Sequence, residues 1–205
     1  MTELVLASAS PARHTLLTNA GVVPQVIVSD VDEDALLREL GPAAPSEQVL
    51  ALARAKAEDV AARLSSDHDL VVVGCDSMLD VGGVAQGKPA SAQEAKDRWL
   101  THMAGRSAVL RTGHWIVRPS TGEELGEVAS TTVWHATPSE RELDAYIATG
   151  EPLRVAGGFT IDGLGGPFVE RIDGDPSNVV GLSLPLLRRL LARLGIVWTD
   201  LWPSP

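Results

Sequence analysis

Apolar and polar positions divide about the first 105 residues into short alternating strands and helices. Leu4–Ala7 is an apolar segment typical of a strand, and Leu70–Gly74 is a β-branched run typical of a buried strand. From Ser46, its expected N-cap, to about Leu64, apolar residues recur at the spacing of one helix face. Ala108–Val117 and Glu127–Trp134 predict two long strands, so we expect an α/β fold with a more antiparallel second half.

Capping residues predict where further helices begin and end. Pro11 stands at the favoured first position of a helix, with Ser10 as its N-cap and Gly21 at its end. Ser91 and Glu94 have the spacing of a capping box. Other predicted elements are a strand at Val22–Val28, a short helix ending near Gly41, a helix from about Glu140 to Gly150 and a last helix at Pro185–Leu194. Because no repeat or linker interrupts this order, we expect residues 1–205 to form one domain of two lobes.

Composition and charge exclude several classes of protein. Hydrophobic residues make up 44% of the 205, which is enough for a sizeable core and too many for a disordered chain. With 17 Lys and Arg against 27 Asp and Glu, the formal charge of -10 disfavours nucleic acid as a partner. No apolar run reaches the length of about 18 residues that predicts a membrane span. Cys75 is the only cysteine, and no apolar signal segment opens the sequence, so we expect a cytoplasmic location.

A candidate phosphate site follows the first predicted strand. Ser8 and Ser10 precede the helix that begins at Pro11, and Arg13 lies in its first turn. The N-terminus of a helix presents unpaired backbone N–H groups and a positive dipole, which bind phosphate readily. Plain capping by Ser10, with Arg13 on the surface, explains the same residues, and these residues alone favour that simpler interpretation. The segment is not a P-loop, because no Gly-Lys-Ser/Thr follows.

Four further positions carry charge that chemistry could use, and each also has a simpler explanation. Lys56 shares the apolar face of its helix, so it either extends to solvent or meets an anion. Asp76 directly follows the β-branched run and could bind a metal or accept a proton from water, or only form a turn. Lys88, framed by glycine and proline, suits a phosphate contact or a surface turn. Glu33, in an acidic cluster, could complement a helix dipole or share Mg²⁺ with Asp76.

Taken in their order along the chain, these motifs resemble the Maf family, also called septum-formation inhibitors. Each motif is weak singly, but the ordered set is specific and covers nearly the whole chain. The likeness runs through Leu4–Arg13, Ala53–Ala57, Gly74–Ser77, Gly87–Pro89, Gly150–Pro152, Ala156–Gly158, Ile161–Gly163, Ile172–Gly174 and Asn178–Leu182.

The resemblance implies a fold, a reaction and a set of site residues. The implied fold is similar to that of inosine-triphosphate pyrophosphatase: a twisted mixed β-sheet flanked by helices, in two lobes with a central cleft. The implied reaction is hydrolysis of the α–β phosphoanhydride of canonical or modified nucleoside triphosphates, giving monophosphate and pyrophosphate, with Mg²⁺ or Mn²⁺. Asp76 corresponds to the proton acceptor, and Glu33 and Asp76 to metal-binding positions. The positions that hold the triphosphate correspond to Ser8, Ser10, Arg13, Lys56 and Lys88.

Three positions depart from the better-known branches of the family. Ala12 stands where one branch has a second arginine and another has tryptophan. Ser77 replaces threonine or glutamine, and Asp162 replaces the glutamine of the thymidine- and uridine-preferring branch. Because the family ties these positions to base choice, the resemblance leaves the preferred base open.

The resemblance also implies partners and roles. Relatives act on nucleoside triphosphates, are often homodimers, and are linked to cell-division arrest and to the clearing of modified nucleotides. We therefore expect a nucleoside triphosphate partner, and neither nucleic acid nor a membrane. The residues leave open a non-enzymatic nucleotide-binding regulator of cell division, and a phosphatase or sugar-nucleotide transferase at the same corner.

Overall fold

The computed structural model describes residues 2–203, and one mixed sheet runs through them. The strands are β1 (Glu3–Leu6), β2 (Gln25–Val26), β3 (Leu70–Val81), β4 (Val84–Gln86), β5 (Ser107–Arg118), β6 (Glu123–His135) and β7 (Val169–Asp173). The sheet order is β2-β1-β3-β5-β6-β7, and β4 pairs separately with β3. β1 is parallel to both β2 and β3, whereas the β3–β5, β5–β6 and β6–β7 pairs are antiparallel, as the sequence predicts for the second half.

The helices begin close to where the capping residues predict. Ser10 accepts a hydrogen bond from the backbone of Arg13, and Ser91 accepts one from the backbone of Glu94. One predicted cap is wrong: the long helix begins at Pro45 with Ala44 as N-cap, because Pro45 takes the first helical position and Ser46 follows inside the helix. The helices are α1 (Pro11–Asn19), α2 (Glu33–Leu40), α3 (Pro45–Ala61), α4 (Ala92–Arg98), α5 (Glu140–Ala148), α6 (Pro176–Val180) and α7 (Leu184–Arg193).

Strand β3 is much longer than its apolar run predicts. The run ends at Gly74, but the strand continues through Asp76 to Val81, because β5 pairs with it from Val72 to Asp80. The strand predicted at Val22–Val28 is, by contrast, too long, since only Gln25–Val26 pairs with β1. Asp76 therefore lies inside a strand, and the interpretation that it follows the end of one is wrong.

One edge of β3 is covered at both ends and open in the middle. β1 pairs with residues 70–73 of β3, and β4 pairs with residues 79–81. Neither strand reaches residues 74–78, which include Asp76 and Ser77. Within this uncovered segment of the β3 edge, Asp76 contacts Lys56 and Ser77 contacts Arg13.

Helix α3 lies unusually close to the sheet because two glycines face it. A Cβ atom at Gly74 would lie 2.1 Å from the carbonyl oxygen of Ala53, and one at Gly113 would lie 2.1 Å from that of Val49. Side chains at these two positions are therefore sterically incompatible with the present position of the helix. Because Lys56 is on the same helix, the two glycines also set its distance from the sheet.

The buried apolar residues form clusters on both sides of the sheet. The largest packs α1 and α7 against β1 and β3 and includes Leu6, Leu17, Cys75 and Leu187. Another packs α4 and α5 around the fully buried Trp99. None of the helices in residues 2–203 is long and apolar enough to cross a membrane. The expected twisted mixed sheet flanked by helices is confirmed, whereas one domain of two lobes stays a prediction.

Candidate active site

Two loops approach the uncovered segment of the β3 edge from opposite directions. Because β1 is parallel to β3, the chain leaving β1 continues along that edge, and the backbone N–H of Ala7 still donates to Val73 at 2.9 Å. Because β4 is antiparallel to β3, the chain leaving Gln86 runs along the same edge from the other end. The first loop carries Ser8 and Ser10, and the second carries Lys88. In α/β folds, ligands bind outside the carboxyl ends of strands, and the first loop follows the carboxyl end of β1.

Arg13 is buried and closes the open edge of the strand. Its Nη1 donates to the carbonyl oxygen of Cys75 at 2.9 Å and to Ser8 Oγ at 3.0 Å. Its Nε donates to the carbonyl oxygen of Gly181 at 2.7 Å, and its Nη2 to Ser77 Oγ at 3.1 Å. These bonds use four of the five N–H groups of the guanidinium. The interpretation of Arg13 as a surface residue is therefore wrong, and one N–H group remains for a ligand.

The two serines of the first loop keep their hydroxyl hydrogens for a ligand. Ser8 Oγ accepts from the backbone of Ser10 at 3.2 Å as well as from Arg13, so both of its acceptor positions are used. Ser10 Oγ accepts from the backbone of Arg13 at 3.4 Å, which is the predicted capping bond. In both cases the O–H group is still able to donate, so capping and anion binding are compatible here.

Lys56 joins two carboxylates on the other face of β3. Its Nζ lies 2.6 Å from Asp76 Oδ1 and 2.8 Å from Glu33 Oε1. Lys56 and Asp76 are buried, whereas about half of the Glu33 side chain is exposed. Lys56 therefore meets anions rather than extending to solvent, and Glu33, the first residue of α2, shares its ammonium group with Asp76.

Burial has the largest effect on the ionisation of Asp76. It raises the pKa of the carboxyl group above its ordinary value, while the charges of Lys56 and Arg13 offset part of that rise. The hydrogen bond from Lys56 engages Oδ1, which leaves Oδ2 for water or a metal ion. A carboxylate with a raised pKa is a better proton acceptor than an exposed one.

The carboxylates of Glu33 and Asp76 suit Mg²⁺ in type but are few. Within residues 2–203, no group of three or more His, Cys, Asp and Glu side chains is arranged to hold a metal ion. Mg²⁺ is commonly bound by one or two carboxylates together with substrate phosphates and water, and it prefers oxygen ligands. Two carboxylates that share one ammonium group fit that mode of binding, in which the phosphates complete the coordination.

The predicted base-choice positions lie in three different settings. Ser77 is half-buried and already bonded, because its Oγ accepts from Arg13 and lies 2.9 Å from Thr112 Oγ1. Ala12 is half-buried in the first turn of α1. Asp162 is exposed in a loop that Glu151 holds by accepting from the backbone of Gly165 at 3.1 Å. Ser77 is thus brought into the Arg13 network, whereas no contact of Asp162 with that network is observed in residues 2–203.

A buried polar network behind Ser77 has no counterpart in the sequence-based prediction. Thr112 Oγ1 donates to the carbonyl oxygen of Asn178 at 3.4 Å, and Asn178 Nδ2 donates to the carbonyl oxygen of Leu110 at 3.1 Å. His114 Nε2 accepts from the backbone of Ser183 at 2.8 Å, and burial lowers the pKa of His114 to about 4. These residues hold the chain near Gly181, whose carbonyl oxygen accepts from Arg13. The sequence signal that could have indicated them is the asparagine that directly precedes Val179 and Val180, in the segment Asn178–Leu182.

The fold and the site define an α/β protein in which arginine, lysine and serine side chains lie beside a buried carboxylate. A family model described as Maf-like protein matches residues 3–194. The chain belongs to that family. It is 55% identical to a nucleoside triphosphate pyrophosphatase of Rhodococcus opacus, over 100% of this chain and 98% of the relative. It is 56% identical to one of Nocardia farcinica, over 98% and 97% of the two chains.

A comparison with solved structures finds a weaker likeness. A nucleoside-triphosphatase, or dITP/XTP pyrophosphatase, of Mycobacterium abscessus aligns with 95% of this chain and 97% of its own, at 16% identity and a TM-score of 0.41. A likeness of that size carries no argument about this chain, so the family assignment rests on the sequence matches.

Proposed function

We propose that this protein is a nucleoside triphosphate pyrophosphatase, which hydrolyses the α–β phosphoanhydride to nucleoside monophosphate and pyrophosphate. The relatives with this activity in their names align over essentially the whole chain, at 55% and 56% identity. The observation that carries the proposal is the buried Asp76, held 2.6 Å from Lys56 at the uncovered segment of the β3 edge. Such a carboxylate beside cationic groups and hydroxyl donors suits attack of water on a phosphate.

In this proposal the chain binds and orients the triphosphate through donors that are still unused. Ser8 and Ser10 donate their hydroxyl hydrogens, and Arg13 donates its remaining N–H group. Lys56 donates its third N–H group, since two are engaged by Glu33 and Asp76. Lys88 supplies a further positive charge from the opposite loop. Fixed donors of this kind stabilise the charge that develops on the transferring phosphoryl group.

Asp76 then acts as the proton acceptor. The oxygen of the attacking water forms a bond to the α-phosphorus, and the bond from that phosphorus to the bridging oxygen breaks. The proton of the water passes to Asp76 Oδ2, and pyrophosphate leaves with the bridging oxygen. Glu33 and Asp76 would hold a divalent cation, Mg²⁺ or Mn²⁺, which supplies neutralisation of phosphate charge when bound.

The test compares two buried aspartates of the same strand. Asp76→Asn should lower kcat for pyrophosphate release by about 10²-fold or more, the usual contribution of a positioned base. Asp80→Asn is the matched control, because Asp80 is similarly buried, lies on the same face of β3 and pairs with Arg111 at 2.7 Å. It should retain activity. Near-wild-type turnover by Asp76→Asn would contradict the assigned role.

Product analysis separates this proposal from its alternatives. Pyrophosphate supports it, whereas orthophosphate would favour a phosphatase, and binding without turnover would favour the non-enzymatic regulator. A panel of canonical and modified nucleoside triphosphates would identify the base that Ala12, Ser77 and Asp162 select. A homodimer and a cytoplasmic location stay predictions.

A further inference from the structure

The loop that carries Lys88 is held at both ends by one pair of side chains on α4. Arg98 Nη1 donates to the carbonyl oxygen of Gly87 at 2.7 Å. The backbone N–H of Ala90 donates to Glu94 Oε2 at 2.8 Å. Arg98 Nη2 also donates to Glu94 Oε1, so the two side chains form one unit, which we call the Glu94–Arg98 clamp.

Glu94 hydrogen-bonds both to the loop of Lys88, through its carboxylate, and to the N-cap of α4, through its backbone N–H. In a capping box, the carboxylate at this position would accept from the backbone N–H of Ser91, the N-cap. Here it accepts instead from Ala90, one residue earlier and outside the helix. The bond from the Glu94 backbone to Ser91 Oγ at 3.1 Å is present, so the predicted box forms only in half. The Glu94 carboxylate, which would complete the box, binds the loop backbone at Ala90 instead.

The backbone of the loop also contacts the segment that contains Gly157 and Gly158. The backbone N–H of Gly157 donates to the carbonyl oxygen of Gly87 at 3.2 Å, and Pro89 is buried against Gly158. The helix is anchored in turn by Trp99, which is fully buried and donates through Nε1 to Gly158 at 3.1 Å. Within this rigid frame the Lys88 side chain is exposed. A long exposed side chain on a fixed backbone loses less entropy on binding than one on a mobile loop.

We infer that Glu94 and Arg98 are positioning residues for Lys88, and that they act on triphosphate binding only through it. The inference rests on the proposed function, in which Lys88 contacts the phosphates. An ordinary ion pair between residues four apart on a helix would stabilise the helix slightly and leave substrate binding unchanged. The clamp differs because each of its side chains also bonds the loop backbone on one side of Lys88.

A double-mutant cycle tests this inference through kcat and KM for pyrophosphate release. Lys88→Ala alone should lower kcat/KM by about tenfold, the loss of one charged contact. Arg98→Met should lower kcat/KM by about threefold to tenfold, chiefly by raising KM. In the Lys88→Ala background, Arg98→Met should have no further effect, since the residue through which it acts is gone. Arg98→Lys should recover part of the loss, because lysine reaches one of the two acceptors.

Each outcome of the cycle decides the matter. Equal effects of Arg98→Met with and without Lys88, or no effect in either background, would overturn the inference while leaving the proposed function intact. A wild-type protein that releases no pyrophosphate would overturn the proposed function and the inference with it. Arg54→Met removes another ion pair of the same spacing, with Glu58, and should leave kcat/KM unchanged. If Arg98→Met does not fold, Glu94→Gln replaces it in the same cycle, with the same expected pattern.

Discussion

Replacing Gly113 by alanine should move helix α3 away from the sheet and separate Lys56 from Asp76. The added Cβ would lie 2.1 Å from the carbonyl oxygen of Val49, where ordinary contacts begin at 3.4 Å. Because the nearest atoms belong to the helix backbone, a side-chain rotation cannot relieve the clash. The helix must therefore retreat by about 1.3 Å, the difference between the two distances.

The expected losses follow from that displacement. Overpacking a core usually costs about 1–3 kcal/mol in the free energy of unfolding. A retreat of that size would lengthen the 2.6 Å contact between Lys56 Nζ and Asp76 Oδ1 beyond hydrogen-bond range. A misplacement of about 1 Å commonly lowers turnover by about 10²-fold. We therefore expect Gly113→Ala to fold with reduced stability and to release pyrophosphate far more slowly.

Denaturant unfolding and steady-state pyrophosphate release measure the two effects in the same preparation. Ile196→Val is the control, because it removes one buried methyl group from the cluster around α1 and α7, which contains no residue of α3, and should cost about 0.5–1.5 kcal/mol without loss of activity. A Gly113→Ala protein that is as stable and as active as wild type would refute the steric argument. If stability falls but kcat/KM does not, the close approach of the helix is not what positions Lys56.

Three further predictions follow from the charges in the structure. Lys56→Met should shift the acid limb of the kcat/KM profile to higher pH, because the lysine charge lowers the pKa of Asp76; an unmoved limb would show that another group titrates. Burial lowers the pKa of His114 and of His135 to about 4, so the unfolded state binds more protons between pH 4 and 6.5, and stability should fall as pH falls through that window. In His135→Phe the slope of unfolding free energy against pH should decrease by up to about 1.4 kcal/mol per pH unit, and an unchanged slope would contradict a neutral buried histidine. Removing divalent cations with a chelator should abolish pyrophosphate release, and Mg²⁺ or Mn²⁺ should restore it; full activity in the chelator would exclude the proposed metal role.

Local sequence signals were sufficient for most of the elements. The cap at Ser10 and the strand at the start of the chain depend on residues within a few positions of each other, so they could be predicted. The continuation of β3 past Gly74 could not, because Asp76, Ser77 and Asp80 break the apolar pattern. Their partners come from distant residues: Lys56, Arg13 and Arg111.

The roles of the candidate site residues show the same division. Lys56 on an apolar helix face and Asp76 after an apolar run are visible in the sequence, but their separation of 2.6 Å is not. It requires glycines on two neighbouring strands, Gly74 and Gly113, whose common face appears only when the strands pair. Glu94 likewise has the sequence of a helix cap, while the structure gives its carboxylate to the loop.

By itself, therefore, the sequence determined the local elements, the types of chemically active residue and, through their order, the family. Tertiary structure alone decided which segment of the β3 edge stays uncovered, how many N–H groups of Arg13 remain unbonded and which residues hold the loop of Lys88. The physical reason is that caps and periodicity arise from neighbours along the chain. Strand coverage and hydrogen-bond partners arise instead from residues brought together from far apart.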